Sequence, residues 1–152
     1  MKRISPSESP DRRLQYPQIK DDRQVAALCT RGKGKSREVL LITSRDTGRW
    51  VLPKGWPVEG CDDPASAAVE AWEEAGVRPK QVRRKPVGSY VYDKRLGNGI
   101  AVPVETWVFR IKVAGLAETF PEAAQRNRVW VSPRKAAKMV AEPGLRAILE
   151  EL

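Results

Sequence analysis

The chain has 152 residues, of which 41% are apolar and 31% are charged, and its net charge is +9. This size suits one domain with a single core, and no apolar stretch approaches the ~20 residues that a membrane-spanning helix needs. Histidine is absent and only two cysteines occur, which excludes histidine-based catalysis, the usual zinc sites and a disulfide framework. We therefore expect a cytoplasmic protein whose metal, if any, is a hard ion on oxygen ligands, such as Mg²⁺ or Mn²⁺.

The net charge of +9 indicates an anionic partner. Nucleic acid, an anionic membrane surface and a phosphate-rich small molecule all remain open on this ground. A surface charge that only keeps the protein in solution is the plain alternative. Charge alone therefore does not choose the partner.

The first part of the chain is predicted to be a flexible arm followed by a β-hairpin. Residues 1–20 are rich in Ser, Pro and charge and lack apolar periodicity, whereas residues 21–152 are predicted to form one domain. Two apolar runs, Gln24–Thr30 and Glu38–Ser44, are typical of buried strands, and a turn with two glycines separates them. A brief extended segment, Trp50–Pro53, follows them.

A helix of about three turns is predicted over residues 64–75. Asp63 can cap its N-terminus, Pro64 suits the first helical position, and Gly76 is a good C-terminal stop. Several alanines along the segment would let the helix pack close to a sheet.

The second half of the chain is predicted to contain strands and then two short helices. The strands and their turn are Val82–Tyr92, the turn Leu96–Gly99, Val102–Val113 and Arg128–Val131. Ser132 can cap a helix that runs to Val140, and Pro143 can begin a last helix. Together with the hairpin, these elements predict an α/β (α+β) fold in which a mixed sheet is sandwiched between helices.

Three glutamates stand out on the predicted 64–75 helix. Glu70, Glu73 and Glu74 are spaced i, i+3 and i+4, so they share one helix face. They repel one another, and they lie near the negative end of the helix dipole, which disfavours carboxylates by ~0.3–1 kcal/mol each. A bound divalent cation would remove this conflict. Taken alone, the spacing is more typical of a solvated helix face, so the surrounding sequence has to decide.

The surrounding sequence resembles the signature of a known family. Residues 55–77, GWPVEGCDDPASAAVEAWEEAGV, resemble the Nudix box, G-x5-E-x7-R-E-U-x-E-E-x-G-U with U aliphatic. The matching positions are Gly55, Glu70, Glu73, Glu74, Gly76 and Val77. The preceding WVLPKG also resembles the usual lead-in, and the resemblance extends over about residues 24–140. It implies a Nudix-type fold and a hydrolase of phosphoanhydride bonds.

Two positions depart from the box. Cys61 stands where the family has its first glutamate, and Val69 stands where it has the arginine. In the family these two side chains are thought to pair. Because replacing both members of a buried ion pair by apolar groups is often close to neutral, we expect Cys61 and Val69 to make an apolar contact.

The resemblance implies roles for individual residues. Glu70, Glu74 and the Gly55 carbonyl would hold Mg²⁺, with Mn²⁺ as a possible substitute, and Glu73 is the best candidate for the base that deprotonates water. Basic residues at loop and strand ends would bind the substrate: Arg45, Lys54, Lys94, Arg95 and Arg128, with Arg49 and Arg126 as further candidates. In the family these ends gather around the face that carries the glutamate helix.

The substrate is expected to be a polyphosphorylated small molecule. The run from LLITSRDTGRWVLPKG to RNRVWVSPRKAA is similar to diphosphoinositol polyphosphate phosphohydrolases, which also act on dinucleoside polyphosphates, whereas PKG in the lead-in is more typical of dinucleoside tetraphosphate hydrolases. An RNA 5′-pyrophosphohydrolase and an inactive Nudix domain that only binds nucleotide or nucleic acid are the alternatives. Nucleic acid is thus open but not favoured, no membrane partner is expected, and the sequence carries no signal for oligomeric state.

Overall fold

The computed structural model of the protein describes residues 23–152, so the predicted flexible arm at residues 1–20 lies outside the described part. Eight strands and three α-helices are present in that range. The strands are β1 (Arg23–Arg31), β2 (Glu38–Thr43), β3 (Trp50–Val51), β4 (Lys54–Gly55), β5 (Val77–Val82), β6 (Gly88–Arg95), β7 (Ala101–Leu116) and β8 (Arg128–Val131). The helices are α1 (Asp63–Ala75), α2 (Pro133–Met139) and α3 (Pro143–Glu150), and two short 3₁₀ turns cover Gly34–Ser36 and Ala123–Gln125.

All eight strands belong to one mixed sheet whose main path is β3-β2-β1-β7-β5. The central pair, β1 and β7, is parallel, and every other pairing is antiparallel. β4 pairs with the beginning of β1, where Gly55 lies opposite Val25. β6 pairs with β7, and β8 pairs with β2. The predicted β1–β2 hairpin is confirmed, as is the prediction of a mixed α/β sheet.

Helices cover both faces of the sheet because both faces of its central strands are apolar. Alternate residues of a strand point to opposite faces. In β1, Val25, Ala27 and Cys29 are fully buried in a core with α1, while Ala26 and Leu28 are fully buried in a second core with α2 and α3. The sandwich that the sequence predicts is therefore confirmed.

The segment between α1 and β6 differs from the prediction. The strand predicted from Val82 begins only at Gly88, and a separate strand, β5, directly follows α1. β5 contains Pro79 and charged, exposed residues, so its sequence lacks the apolar alternation of a strand. Its pairing with β7 has irregular register around Pro79, which is the kind of site where a sheet tolerates proline. The partner strand, not local propensity, makes β5 extended.

The two C-terminal helices begin as predicted. The Ser132 hydroxyl accepts a hydrogen bond from the Lys135 amide at 3.2 Å, which caps α2. α3 packs closely on β6, since a Cβ at Gly144 would lie 2.8 Å from the Tyr90 Cβ. In residues 23–152 no helix has both the length and the apolar character required to cross a membrane.

Candidate active site

The glutamate helix α1 is capped at both ends by its own sequence. At the N-terminus the Asp62 carboxylate accepts from the Ala65 amide at 3.0 Å, so the cap is Asp62 and not Asp63 as the sequence predicted. At the C-terminus Gly76 adopts φ +68°, and a Cβ there would lie 2.6 Å from the Phe120 ring. Only glycine suits that position. These caps fix both ends of α1 and therefore where its three glutamates lie relative to the sheet.

Small residues bring α1 close to the sheet. Ala67, Ala71 and Ala75 are fully buried and belong to the core with β1. Alanines at these positions leave room for the helix axis to approach the strands. As a consequence, glutamates on the adjoining helix face reach the backbone of the short strand β4.

Glu70 lies directly against Gly55. A Cβ on Gly55 would be 2.5 Å from Cδ of Glu70 and 2.6 Å from its Oε1. The carboxyl group therefore occupies the space that any other residue at position 55 would need. This contact brings together two of the three predicted metal-binding positions.

Glu74 is buried and tied to the same strand. Its side chain is 11% exposed, and its Oε1 accepts a hydrogen bond from the Lys54 amide at 3.1 Å. The Arg126 guanidinium lies 3.5 Å from the same oxygen. Glu73, in contrast, is exposed. The three glutamates thus divide into a desolvated pair and a solvent-facing third member.

The pKa values of Glu70 and Glu74 are raised above those of ordinary carboxyl groups. Burial, followed by hydrogen bonding with Glu74 and by the charges of Glu74, Glu73 and Glu122, raises the pKa of Glu70 from 4.5 to about 8. Burial also raises the pKa of Glu74, although the Arg126 charge opposes this shift. Two neighbouring carboxyl groups whose charged forms are disfavoured are suited to a divalent cation, which would neutralise their charge.

The raised pKa of Glu70 predicts how the metal-free protein responds to pH. A carboxyl with a raised folded-state pKa weakens the fold as pH rises from the unfolded value of 4.5 towards about 8, because the native state must then hold an unwelcome charge. We expect metal-free Glu70→Gln to melt above the wild type at pH 9, and the difference to shrink towards pH 5. Thermal unfolding in EDTA across this pH range measures it. A difference that is constant with pH would contradict the assignment.

Arg126 and Glu122, which the sequence does not link to each other, complete the surroundings of Glu74. Arg126 has a side chain that is only 7% exposed, and its Nε and Nη2 lie 2.9 and 2.8 Å from Glu122 Oε1. Its Nη1 donates to the Thr43 carbonyl at 2.9 Å, and the Glu122 amide donates to the Glu73 carbonyl at 3.0 Å. Glu122 is therefore a fourth carboxylate at this end of α1. No signal in the sequence links it to the glutamate helix.

Lys54 points to the opposite face of the sheet from Glu70. Its Nζ lies 4.7 Å from the centre of the Tyr92 ring, and Tyr92 donates through its hydroxyl to Gln24 Oε1 at 2.6 Å. Burial lowers the pKa of Lys54, while the charges of Glu74 and Glu142 oppose that shift. Burial also raises the pKa of Tyr92 to about 12. β4 thus places Lys54 on one face of the sheet and Gly55, which contacts the Glu70 carboxyl group, on the other.

The remaining predicted substrate-binding residues do not all lie together. Arg45 is exposed near the site, with its Nε 3.8 Å from Glu122 Oε1, and Lys94 is close enough to Lys54 to lower its pKa. Arg95 donates to the Gly99 carbonyl within its own hairpin at 3.5 Å. Arg128 donates to the Ala75 and Ala117 carbonyls at 2.9 and 2.8 Å and lies over the Phe120 ring. These contacts of Arg128 cap the end of α1, and its role in substrate binding stays a prediction.

Arg49 is exposed and lies 3.9 Å from Glu142, at the start of α3. In the described range, 23–152, no three carboxylate or cysteine groups converge closely enough to form a preformed metal cage.

The loop before α1 is braced by a serine. Ser66 is fully buried, and its hydroxyl accepts a hydrogen bond from the Val58 amide at 2.8 Å. The Cys61 amide donates to the Val58 carbonyl at 3.0 Å, and the Cys61 side chain is half-buried. A direct contact between Cys61 and Val69 stays a prediction. Ser66 supplies a tie between loop and helix in a protein that lacks the ion pair of the Nudix box.

We expect Ser66→Ala to destabilise the protein by about 1–3 kcal/mol, because the Val58 amide would lose its partner in a buried place. Ser36→Ala is the matched control, since Ser36 is exposed and its hydroxyl donates to Lys33 within a surface turn. That control should stay within about 0.5 kcal/mol of the wild type. Urea unfolding gives the free energy of unfolding of both variants. An equal loss in the two would contradict the bracing role of Ser66.

Comparison with known proteins shows the family of the chain. The sequence model of the NUDIX domain matches residues 20–152. Mouse diphosphoinositol polyphosphate phosphohydrolase 3-alpha is 31% identical over 121 residues, which cover 78% of this chain and 68% of the relative. Nudix hydrolase 12, mitochondrial, from Arabidopsis thaliana is 30% identical over 122 residues, covering 75% of this chain and 57% of the relative.

Solved structures share the fold at lower identity. An Ap4A hydrolase binary complex from C. elegans has a TM-score of 0.62 and 20% identity, and the match covers 85% of this chain and 93% of that one. The NUDIX domain of Shewanella oneidensis NrtR complexed with ADP ribose has a TM-score of 0.62 and 18% identity, with 95% and 97% covered. The protein is therefore of the phosphoanhydride hydrolase class. The chain belongs to the Nudix family, and both predictions are confirmed.

Proposed function

We propose that the protein is a Mg²⁺-dependent hydrolase that cleaves a phosphoanhydride bond in a polyphosphorylated small molecule, either a diphosphoinositol polyphosphate or a dinucleoside polyphosphate. The observation that carries this proposal is the desolvated Glu70–Glu74 pair beside the Gly55 backbone. A pair of carboxyls that repel each other in the metal-free protein gains most from a cation. Residues 21–152 act as one catalytic domain in this proposal.

Glu70, Glu74 and the Gly55 carbonyl are the proposed metal-binding groups, with Mg²⁺ or Mn²⁺ as the ion. All three are oxygen donors, which hard divalent cations prefer. The metal would supply charge neutralisation at the phosphate oxygens and a more acidic water. The Lys54 amide and the Arg126 guanidinium, both on Glu74 Oε1, hold that carboxylate in place.

Glu73 is the proposed base. It lies on the same helix one residue before Glu74, and it is exposed. Its exposure lets Glu73 reach the attacking water and accept its proton, whereas Glu70 and Glu74 are committed to the metal in this proposal. The contact of the Glu122 amide with the Glu73 carbonyl, at 3.0 Å, fixes the backbone at this end of the helix.

Lys54, Lys94 and Arg45 are the proposed phosphate-binding residues. Lys54 and Lys94 lie near each other on the face opposite α1, and Arg45 lies beside Glu122 at the helix end. Arg95 stays a prediction, since its contact is local to the hairpin. Arg128 is left out of the proposed set because its guanidinium is engaged by two backbone carbonyls and an aromatic ring.

The choice of substrate class rests on the relatives. The mouse relative is named for diphosphoinositol polyphosphate, and the structural neighbour from C. elegans is named for Ap4A.

Cys29 is buried, Cys61 is half-buried, and both are free thiols, which is compatible with the proposed cytoplasmic location.

The proposal is tested by a substrate panel with and without Mg²⁺. The panel contains a diphosphoinositol polyphosphate, diadenosine tetraphosphate, a nucleoside triphosphate and RNA with a 5′-triphosphate, and released phosphate and nucleotide are identified. Metal-dependent cleavage of one of the first two supports the proposal. Preferential cleavage of the RNA would instead support the RNA 5′-pyrophosphohydrolase, and binding with no cleavage of any substrate would indicate an inactive binding domain.

A further inference from the structure

Three arginines share one face of the sheet, on a part that the proposed reaction does not use. Arg110 in β7 pairs with Leu28 of β1, whose side chain faces the core under α2 and α3, so Arg110 lies on that face. Arg83 is directly opposite Arg110, and its amide donates to the Arg110 carbonyl at 2.9 Å. Arg37 precedes Val39 by two residues and therefore lies on the same face of β2. We refer to Arg37, Arg83 and Arg110 as the arginine row.

The arginine row is remote from the glutamate helix. It lies on the opposite face of the sheet from α1. It also lies towards the end of β1, near Thr30, whereas β4 and its glycine pair with the beginning of that strand. A ligand at the row would not contact Glu70 or Glu74.

Positive charge in the row is not balanced by the described part of the chain. Among residues 23–152 none of the three arginines forms an ion pair, although Arg31 and Arg84 close by are paired with Glu38 and Asp62. The Nε of Arg110 donates only to the Thr30 hydroxyl, at 3.4 Å. The Nε of Arg37 is buried without a hydrogen-bond partner in the same range.

This arrangement weakens the free protein. Like charges directly opposite each other on neighbouring strands repel, and a buried donor without a partner costs free energy. Burial, together with the charges of Arg37 and Arg83, lowers the pKa of Arg110, which is a sign that its charged form is disfavoured. A multiply charged anion in contact with all three guanidinium groups would relieve both costs.

We propose that the arginine row is a second anion site, which binds a compact, multiply charged phosphate. Arg37 lies diagonally across β1 from Arg110, because Glu38 pairs with Arg31 whereas Arg110 pairs with Leu28. Arg37 and Arg83 are both close enough to Arg110 to lower its pKa, so one short chain of phosphates can contact all three guanidinium groups. The neighbouring arginines Arg31 and Arg84 are already paired with carboxylates, Glu38 and Asp62, so they do not extend the site towards a track for a long nucleic acid.

Inorganic tripolyphosphate is the probe, added to the full-length protein in EDTA so that the metal site does not contribute. Arginine Nε–Hε signals in NMR report each member of the row separately. The test variant is Arg83→Gln with Arg110→Gln. The matched control is Arg134→Gln with Lys138→Gln, which removes the same charge from exposed positions on α2.

We expect tripolyphosphate to shift the Nε–Hε signals of the row in the wild type, and the test variant to bind it at least ~10-fold more weakly than the control variant, because two of three direct phosphate contacts are lost. Tripolyphosphate should also raise the melting temperature of the wild type more than that of the test variant. Hydrolysis of the panel substrates should be unchanged in both variants, which separates this site from the proposed active site.

Three outcomes would overturn the proposal. The first is unshifted signals at Arg37, Arg83 and Arg110. The second is an equal loss of tripolyphosphate affinity in the test and control variants, which would mean that only net charge matters. The third is an affinity for single-stranded RNA that involves the row and keeps rising with strand length, which would make it part of a nucleic-acid track.

Discussion

Glu70→Gln and Glu74→Gln should each lower turnover by at least ~100-fold, because each removes a carboxylate that holds the metal and the metal supplies several kcal/mol to the transition state. Both substitutions keep the size of the side chain and remove only the charge. The fold should therefore persist, and metal-free thermal stability should be equal or higher since a repulsive pair is relieved. Steady-state rates at saturating Mg²⁺, with circular dichroism of each variant, measure the effect.

Glu118→Gln is the control for these two variants. Glu118 is exposed and lies after β7, outside the glutamate helix, so its loss should leave turnover near the wild-type value. Activity close to wild type in both Glu70→Gln and Glu74→Gln would remove the metal assignment. A loss of turnover accompanied by unfolding would also fail to support it.

Arg126→Ala is expected to lower the metal-free free energy of unfolding by about 3–5 kcal/mol, because it leaves carboxylates without their partner in a buried place. Arg126 is 7% exposed, and it contacts Glu74, Glu122 and the Thr43 carbonyl at once. No other described residue joins the helix end, the 3₁₀ segment and the end of β2 in this way. Urea unfolding in EDTA gives the value.

Arg45→Ala is a sharp control for that measurement. Arg45 also lies near Glu122, at 3.8 Å, but its side chain is 55% exposed. An exposed ion pair contributes about 0–1 kcal/mol, so the control should be nearly neutral. Similar destabilisation by Arg126→Ala and Arg45→Ala would contradict the claim that the buried contacts of Arg126 stabilise this part of the fold.

The parts of the fold that local signals specify could be predicted from the sequence. The helix of residues 63–75 was predicted to within one residue, since a capping aspartate, Pro64 and Gly76 act within a few positions of one another. The strands β1, β2 and β8 are short apolar runs, so the sequence predicts each of them as a strand. The Nudix resemblance then gave the family, which the comparisons confirm.

The other parts of the fold and of the candidate site depend on contacts between distant parts of the chain. β5 is extended because β7 offers its backbone, and its own sequence of proline and charges has no strand signal. The Arg128 guanidinium donates to the Ala75 carbonyl at the end of α1, a contact that its position in the sequence does not predict, and its role in substrate binding stays a prediction. Glu122 and Arg126 reach Glu74 only through the loop between β7 and β8. Sequence spacing cannot reveal such contacts.

Binding of Mn²⁺ to the wild type, Glu70→Gln, Glu74→Gln and Glu118→Gln is the most direct test of the central claim, that the Glu70–Glu74 pair is the metal site. Electron paramagnetic resonance counts free Mn²⁺ without any need for substrate or turnover. We expect Glu70→Gln and Glu74→Gln each to bind at least ~10-fold more weakly, and Glu118→Gln to bind as the wild type does. Equal Mn²⁺ affinity in all four proteins would contradict the assignment of the site.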